Sequence, residues 1–268
     1  MTSHANVHTL DLELAMALAD AADSLSLERF RAPDLRIETK PDRTPVTEVD
    51  RLIERMLREQ LAKHRPDDAV HGEEYGRHGR SHRTWVLDPI DGTKSYMRGI
   101  PVFASLIALV ENGAPVVGVV SAPALGRRWT AARGLGAKLN GDPIGVSEVG
   151  ELQLAHLSIN DLGTFHKYGH GEAADRLAGS VWRVRGFGDF WSHMLVAEGS
   201  VDIAAEPAVE PWDLAPLQVI VEEAGGRFTD LLGRPGFEGG SALVTNGRLH
   251  DAVLAMFNKP DPALRDLG

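Results

Sequence analysis

Trp85-Val86-Leu87-Asp88-Pro89-Ile90-Asp91-Gly92-Thr93-Lys94-Ser95 is the stretch around which the rest of the chain arranges itself. Its apolar opening, Trp85-Val86-Leu87, reads as a buried strand. Pro89 and Gly92 then predict that the strand stops and turns. Asp88 and Asp91 are expected on that turn, where a sheet presents functional groups to solvent. The backbone N–H groups of Gly92 and Thr93 lead out of it and can face an anion. Two carboxylates this close repel, and one would ordinarily hold a proton. A divalent cation removes that conflict, because it keeps both acids ionised and attracts a phosphate as well. Hard oxygen ligands suit Mg²⁺, which is commonly held by a few carboxylates plus substrate phosphate. The stretch alone therefore predicts a Mg²⁺ and phosphate site.

The bulk numbers set limits around it. At 268 residues, 43% apolar and 25% charged, the chain is an ordinary soluble globular protein with room for a large core. A net charge of −10 argues against a nucleic-acid surface, which would want a basic face. It leaves a phosphorylated small molecule open as substrate, since local metal ions override the global field. The absence of cysteine excludes disulfides, thiolate ligands and a cysteine nucleophile. No apolar run approaches a membrane span. The segment Met1–His8 lacks the basic and apolar regions of a signal peptide, so a cytoplasmic location is expected. There is no repeat, low-complexity tract or linker, so residues 1–268 are expected to form a single domain.

Periodicity supplies the frame. Residues 9–31 read as an amphipathic helix with Leu10, Leu14, Ala17, Leu18, Ala21 and Leu25 on one face. Arg36–Lys40 reads as a short strand before a turn at Pro41-Asp42. A second helix carries Val49, Leu52, Ile53, Met56, Leu57 and Leu61, its start marked by Thr47 and Asp50 at N-cap and N3 spacing. Ala69–Glu74, Ala104–Val110, Val116–Ser121 and Arg128–Ala132 read as strands, with hairpin turns at Asn112-Gly113 and Asn140-Gly141. Residues 150–180 give no clear pattern. Phe187–Ala197 reads as a helix, Val201–Glu206 as a strand, and a helix from Pro211 stops at Gly225-Gly226. Arg227–Thr229 and Ala242–Thr245 read as strands and His250–Phe257 as a last helix. Hairpins and helices mix without regular βαβ alternation, which favours a layered α+β fold.

The candidates for chemistry are Asp50, Glu73, Asp88, Asp91, Thr93 and Asp213. Taken alone, Asp50 is the acid of a capping box, Glu73-Glu74 a solvated strand end, and Asp213 a first-turn acid favoured by the helix dipole. Asp88 and Asp91 resist such readings, because acids directly after an apolar strand cost stability unless something pairs them.

Taken together, these segments resemble the inositol monophosphatase family of Mg²⁺-dependent phosphatases. The resemblance rests on Trp85–Thr93, on Trp212-Asp213-Leu214-Ala215 running to Glu223-Ala224-Gly225-Gly226, on Gly72-Glu73-Glu74 and on Thr44-Pro45-Val46-Thr47-Glu48-Val49-Asp50. It implies a layered αβαβα sandwich, usually dimeric, so a homodimer is expected. It also implies roles. Glu73, Asp88 and the carbonyl of Ile90 would hold a first Mg²⁺; Asp88, Asp91 and Asp213 would hold a second, within a total of two or three ions. Gly92 and Thr93 amides would bind phosphate oxygens. Asp50 would accept from the Thr93 hydroxyl, which with Glu73 orients the attacking water. Asp213 would also border the substrate.

Lys94–Pro101, Lys40–Thr47 and Arg185–Trp191 look like the histidinol-phosphate phosphatase branch of that family, which implies a role in histidine biosynthesis. Histidinol phosphate carries an ammonium and an imidazole, so its pocket should offer further acids. Glu206 and Asp189 are the candidates, against the alternatives of a surface acid at a strand end and an N-cap. Trp191 and Trp212 are read as core residues before pocket walls, and Lys94 and Arg98 as solvated before phosphate ligands. His78 and His82, like His166 and His170, have i,i+4 spacing but polar surroundings, so exposed loop residues are expected rather than Zn²⁺ ligands. The rival readings are an inositol-1-phosphate or sugar-phosphate phosphatase on the same scaffold, and a phosphatase-like protein that mainly binds a partner.

Overall fold

The central strand of the computed structural model, which describes residues 2–41 and 43–258, is β5 (Arg83–Asp91). Asp42 lies outside the described residues, so the turn expected at Pro41-Asp42 is seen only in part. Parallel to β5 on one side runs β3 (Ala69–Gly72), and antiparallel on the other runs β6 (Ala104–Glu111). Side chains alternate across β5 as a strand requires. Trp85 and Leu87 enter one core with Ile107 and Leu109, whereas Val86 enters another with Leu106 and Ala108.

Pro89 does not stop the strand as expected; β5 runs through it to Asp91. Pairing with β3 has already ceased at Leu87, and pairing with β6 slips between Asp88 and Asp91. The missing proline donor thus falls where the ladder is irregular and is not needed. The two acids stand on the last residues of the strand, either side of this irregularity, instead of on a turn beyond it.

The strands β4 (Gly76–His78), β7 (Ala114–Ala122), β8 (Arg127–Ala132), β9 (Ala137–Leu139) and β10 (Asp142–Pro143) complete an eight-stranded sheet in the order β10-β9-β8-β7-β6-β5-β3-β4. Positive φ at Asn112 (52°) and Gly113 (82°), and at Asn140 (52°) and Gly141 (92°), makes both predicted hairpin turns. A second sheet is built from β11 (His156–Ser158), β12 (Arg183–Arg185), β13 (Ile203–Glu206), β14 (Arg227–Thr229) and β15 (Ala242–Thr245), in the order β12-β11-β13-β15-β14. The small hairpin of β1 (Ile37–Thr39) and β2 (Pro45–Thr47) stands apart.

Helices fill the spaces between and outside the sheets. On one face of the large sheet lie α1 (Thr2–Arg29) and α2 (Glu48–His64), with α3 (Thr93–Met97) directly after β5. The far face of the small sheet carries α4 (Leu162–Lys167), α5 (Gly171–Ser180) and α8 (His250–Phe257). Between the sheets lie α6 (Asp189–Ala197) and α7 (Pro211–Glu223). That is the αβαβα sandwich. Being covered by sheets on two sides, α7 buries every residue from Leu214 to Val221. Its close approach to β7 depends on Gly118, where a Cβ would sit 2.6 Å from Val219 Cγ1 and 2.7 Å from the Pro216 carbonyl.

Two local expectations need correction. The buried face of α1 is Asp11, Ala15, Leu18, Ala19, Ala22 and Ser26, while Leu10 is 56% exposed. Asp11 turned the face, because its carboxylate is buried against Arg65 at 2.8 Å and Arg83 at 2.9 Å, which an apolar count cannot register. The segment 150–180, without a pattern in sequence, folds as a short strand and two short helices, β11, α4 and α5. Elements this short give periodicity too few residues to work on.

Candidate active site

Distant segments of chain deliver the predicted acids to one end of β5. The strand itself supplies Asp88 and Asp91. Asp213 arrives on the first turn of α7, which starts at Pro211 because a proline suits that position. There Asp213 accepts the Glu210 N–H at 3.0 Å, so it is a capping acid and a site acid at once. One carboxylate oxygen from each of Asp88, Asp91 and Asp213 lies within 4.8 Å of the others. Their hydrogen bonds come from main-chain amides: Ile90 N–H to Asp88 at 3.0 Å and Phe190 N–H to Asp91 at 2.7 Å. Among the described residues, no lysine or arginine forms an ion pair with any of the three.

Such crowding disfavours ionisation. Burial, then the fields of Glu73, Asp91 and Asp213, hold the Asp88 carboxyl well above its usual range. Burial, then Asp189 and Asp213, raise Asp91 in the same way. Asp213 is pushed up to about 7 by burial, which outweighs the lowering by the Glu210 amide. Three close carboxylates, Asp88 buried and Asp91 and Asp213 partly so, without a cationic side chain among the described residues fit an oxygen-coordinated divalent cation, whose charge would oppose these shifts.

Glu73 reaches the cluster differently. Its N–H extends the β3–β5 pairing by bonding Leu87 O at 3.1 Å, which brings its carboxylate beside Asp88. Lys40, from the turn between β1 and β2, reaches in to 2.7 Å from Glu73 and 2.5 Å from Glu74. Beneath the turn after β3 lies Glu54, wholly buried, which accepts the Glu74 N–H at 2.7 Å and the Tyr75 N–H at 3.2 Å. A Cβ at position 72 would fall 2.1 Å from the Glu54 carboxylate, so only glycine fits before Glu73.

At Asp50 both readings hold together. Its carboxylate closes the capping box with Thr47, and its other oxygen accepts the Thr93 hydroxyl at 3.2 Å. Thr93 Oγ also stands 2.9 Å from the carbonyl of Ile90. Burial raises Asp50 to about 6, against the lowering by Thr47. Gly92 has φ 81°, and a Cβ there would meet the Val102 carbonyl at 2.8 Å. The amides of Gly92 and Thr93 begin α3, where the first N–H groups have no partner within the helix.

From the acids a cleft of about 810 Å³ opens, bordered by Asp91, Asp189, Glu206, Asp213, Lys94 and His193. Asp161, Glu210 and Glu238 add to its acidic wall. Asp189 is no N-cap: the cap position belongs to Gly188, and Asp189 itself has φ 47°, a strained conformation that recurs at functional sites. Burial, then Glu206, raise its carboxyl to about 6. Glu206, at the end of β13, accepts the Asn160 amide at 3.1 Å and is half-buried, not a free surface acid. Lys94 borders the cleft, whereas Arg98 does not. Trp191 packs on Phe187 at 5.6 Å and Trp212 edge-on to His71 at 5.5 Å, both outside the cleft. His78, His82 and His166 are exposed as expected, although His78 ends β4 and His166 lies in α4 instead of in loops; His170 is partly buried, 6.1 Å from the Phe257 ring.

Two residues of the cleft, Asn160 and His193, and Lys40 beside Glu73 carry no signal in the sequence. Lys40 lies within the motif Lys40–Thr47, which by itself gives the lysine no role. Asn160 falls in the segment without periodicity, and His193 lies inside the helix predicted over Phe187–Ala197. Nothing in one sequence marks them, because their significance is contact across the fold.

The chain matches the inositol monophosphatase family over residues 9–259. A histidinol-phosphatase of Mycobacterium tuberculosis is 56% identical over 254 residues, covering 92% of this chain and 98% of that protein. One of Streptomyces coelicolor is 50% identical over 258 residues, covering 93% and 97%. Among solved structures, an inositol monophosphatase from Zymomonas mobilis is similar with a TM-score of 0.84 at 33% identity, covering 94% of this chain and 99% of that one. The layer order, the acids gathered at the end of β5 and a match along nearly the whole length agree, and the chain belongs to the inositol monophosphatase family.

Proposed function

We propose that this protein is a Mg²⁺-dependent phosphomonoesterase that hydrolyses L-histidinol phosphate to L-histidinol and phosphate, in histidine biosynthesis. The observation that carries the substrate is the wall of acid beyond the cluster. Asp189 and Glu206 are not needed for metal, and they suit a substrate whose tail bears an ammonium and an imidazole. Relatives sharing half or more of the sequence are named histidinol-phosphatases, which supports the same reading.

In this reading Glu73, Asp88 and the Ile90 carbonyl would hold one Mg²⁺, and Asp88, Asp91 and Asp213 another, among two or three ions. Bound there, the metal supplies positive charge to the nucleophile and leaving group of an in-line displacement. The chain's own groups do the rest. The Gly92 and Thr93 amides seat the phosphate oxygens. The Thr93 hydroxyl, oriented by Asp50, and the Glu73 carboxylate hold the attacking water and receive its hydrogen bonds. Asp213 borders the ester, and Asp189 with Glu206 grips the cationic tail. Positioning and charge neutralisation suffice for phosphoryl transfer, so no covalent enzyme intermediate is required. The working unit is a cytoplasmic homodimer, each chain forming one phosphatase domain over residues 1–268.

An inositol-phosphate phosphatase is the second reading, favoured by the likeness to solved inositol monophosphatases. Phosphate release from L-histidinol phosphate and from myo-inositol 1-phosphate, at equal Mg²⁺, separates the two. A higher kcat/KM for histidinol phosphate is expected; the reverse order contradicts the proposal.

A further inference from the structure

One side chain of the cleft has no role in the account so far. His193 is 1% exposed, and among the described residues neither ring nitrogen has a hydrogen-bond partner. It sits on α6 one turn beyond Asp189, borders the same cleft, and places Nε2 3.7 Å from Glu206 Oε1. A neutral imidazole carries one donor and one acceptor, and burying both unmatched is unfavourable. Such gaps are rare among buried polar groups and call for a reason.

The surroundings supply one. The distance to Glu206 is just beyond hydrogen-bond reach. From another side the Asn160 amide donates to the same Glu206 oxygen at 3.1 Å. Asn160 Oδ1 lies 3.5 Å from Ser192 Oγ, which is 2.8 Å from Ser158 Oγ. Both serines are buried. A polar chain therefore runs out of the core to a single carboxylate, and His193 stands beside its end with a free donor.

We propose that His193 is a positioning residue for substrate selection. When a phosphate monoester with a cationic tail enters, Nε2–H donates to Glu206 and, together with Asn160, fixes that carboxylate against the tail. The inference rests on the reading of Glu206 as acceptor of the substrate's ammonium or imidazolium group. A neutral polyol tail gives Glu206 no charge to meet, so the contribution of His193 is selective.

His193→Phe keeps an aromatic ring in the packed site and removes the donor, whereas His193→Gln retains a donor of similar reach. KM and kcat are measured for L-histidinol phosphate and myo-inositol 1-phosphate, at saturating Mg²⁺, in wild type and both variants. His193→Phe is expected to raise KM for histidinol phosphate about tenfold, the scale of one hydrogen bond to a charged group, with kcat within about twofold. The preference over inositol 1-phosphate falls by the same factor, and His193→Gln restores most of it. An unchanged preference in His193→Phe, or an equal loss on both substrates, overturns the proposal. A wild type without preference for histidinol phosphate instead overturns the substrate reading, and the role of His193 with it.

Discussion

The acids at the end of β5 are the residues where sequence and structure speak most nearly alike. Asp88 and Asp91 were legible because charge directly after an apolar strand is expensive unless it is paired. Asp50 and Asp213 were legible only through resemblance, since each is fully accounted for as a helix-capping acid, and in the fold each still caps its helix. Lys40 and His193 were not legible, because a lysine in a turn and a histidine in a helix have ordinary uses that no spacing rules out. The cluster's mutual repulsion makes a prediction with opposite signs for fold and function. Asp213→Asn should lower turnover at least roughly a hundredfold, the scale reported for damage to a metal's surroundings. It should also raise the melting temperature of the metal-free protein by roughly 2–4 °C, as relief of about 1 kcal/mol would in a chain of this size. Differential scanning calorimetry after chelation, with phosphate-release assays alongside, reads both effects; a less stable metal-free variant contradicts the electrostatic account.

Elements marked by local signals were readable, down to the short strands Arg227–Thr229 and Ala242–Thr245, whereas features set by distant segments were not. The helix starting at Thr47, the hairpins at Asn112-Gly113 and Asn140-Gly141, and the run of α7 follow from capping, turn chemistry and apolar spacing, which act locally. The extension of β5 through Pro89 was missed because it depends on where β3 stops, a fact of another segment. The face of α1 was misjudged because its buried acid is neutralised by arginines far along the chain. The turn after β3 shows how an element sets a site residue. Gly72 leaves room for Glu54, and Glu54 holds the amides that present Glu73. Gly72→Ala is therefore expected to raise the Mg²⁺ concentration for half-maximal activity more than about tenfold, with about 1–3 kcal/mol lost from stability. Activity titrated against Mg²⁺, beside urea unfolding, tests it. Lost stability with unaltered Mg²⁺ dependence would show that the turn does not position Glu73.

For the whole molecule, which carries a net charge of −10, three acids meet at the end of a buried strand, where ionisation is least favourable. Asp213 titrates at about 7, and Asp50 and Asp189 at about 6, when folded; unfolded, each falls to about 3.9. Between those values the folded chain holds protons that the unfolded chain has released, so stability declines as pH rises. The contribution is complete below about pH 4 and lost as pH passes the folded values. From about pH 5 to 8 the melting temperature of the metal-free protein should fall, and the increment given by Mg²⁺ should grow, because binding needs ionised carboxylates. Melting curves across that range, with chelator and with Mg²⁺, decide it; a metal-free melting temperature that climbs throughout contradicts the assignment. The most direct test of the convergence itself is an anomalous difference map from crystals soaked in Mn²⁺. The account predicts peaks held by Asp88 and shared with Asp91, Asp213 and Glu73, whereas a map empty there, or with its peaks elsewhere on the surface, would contradict it.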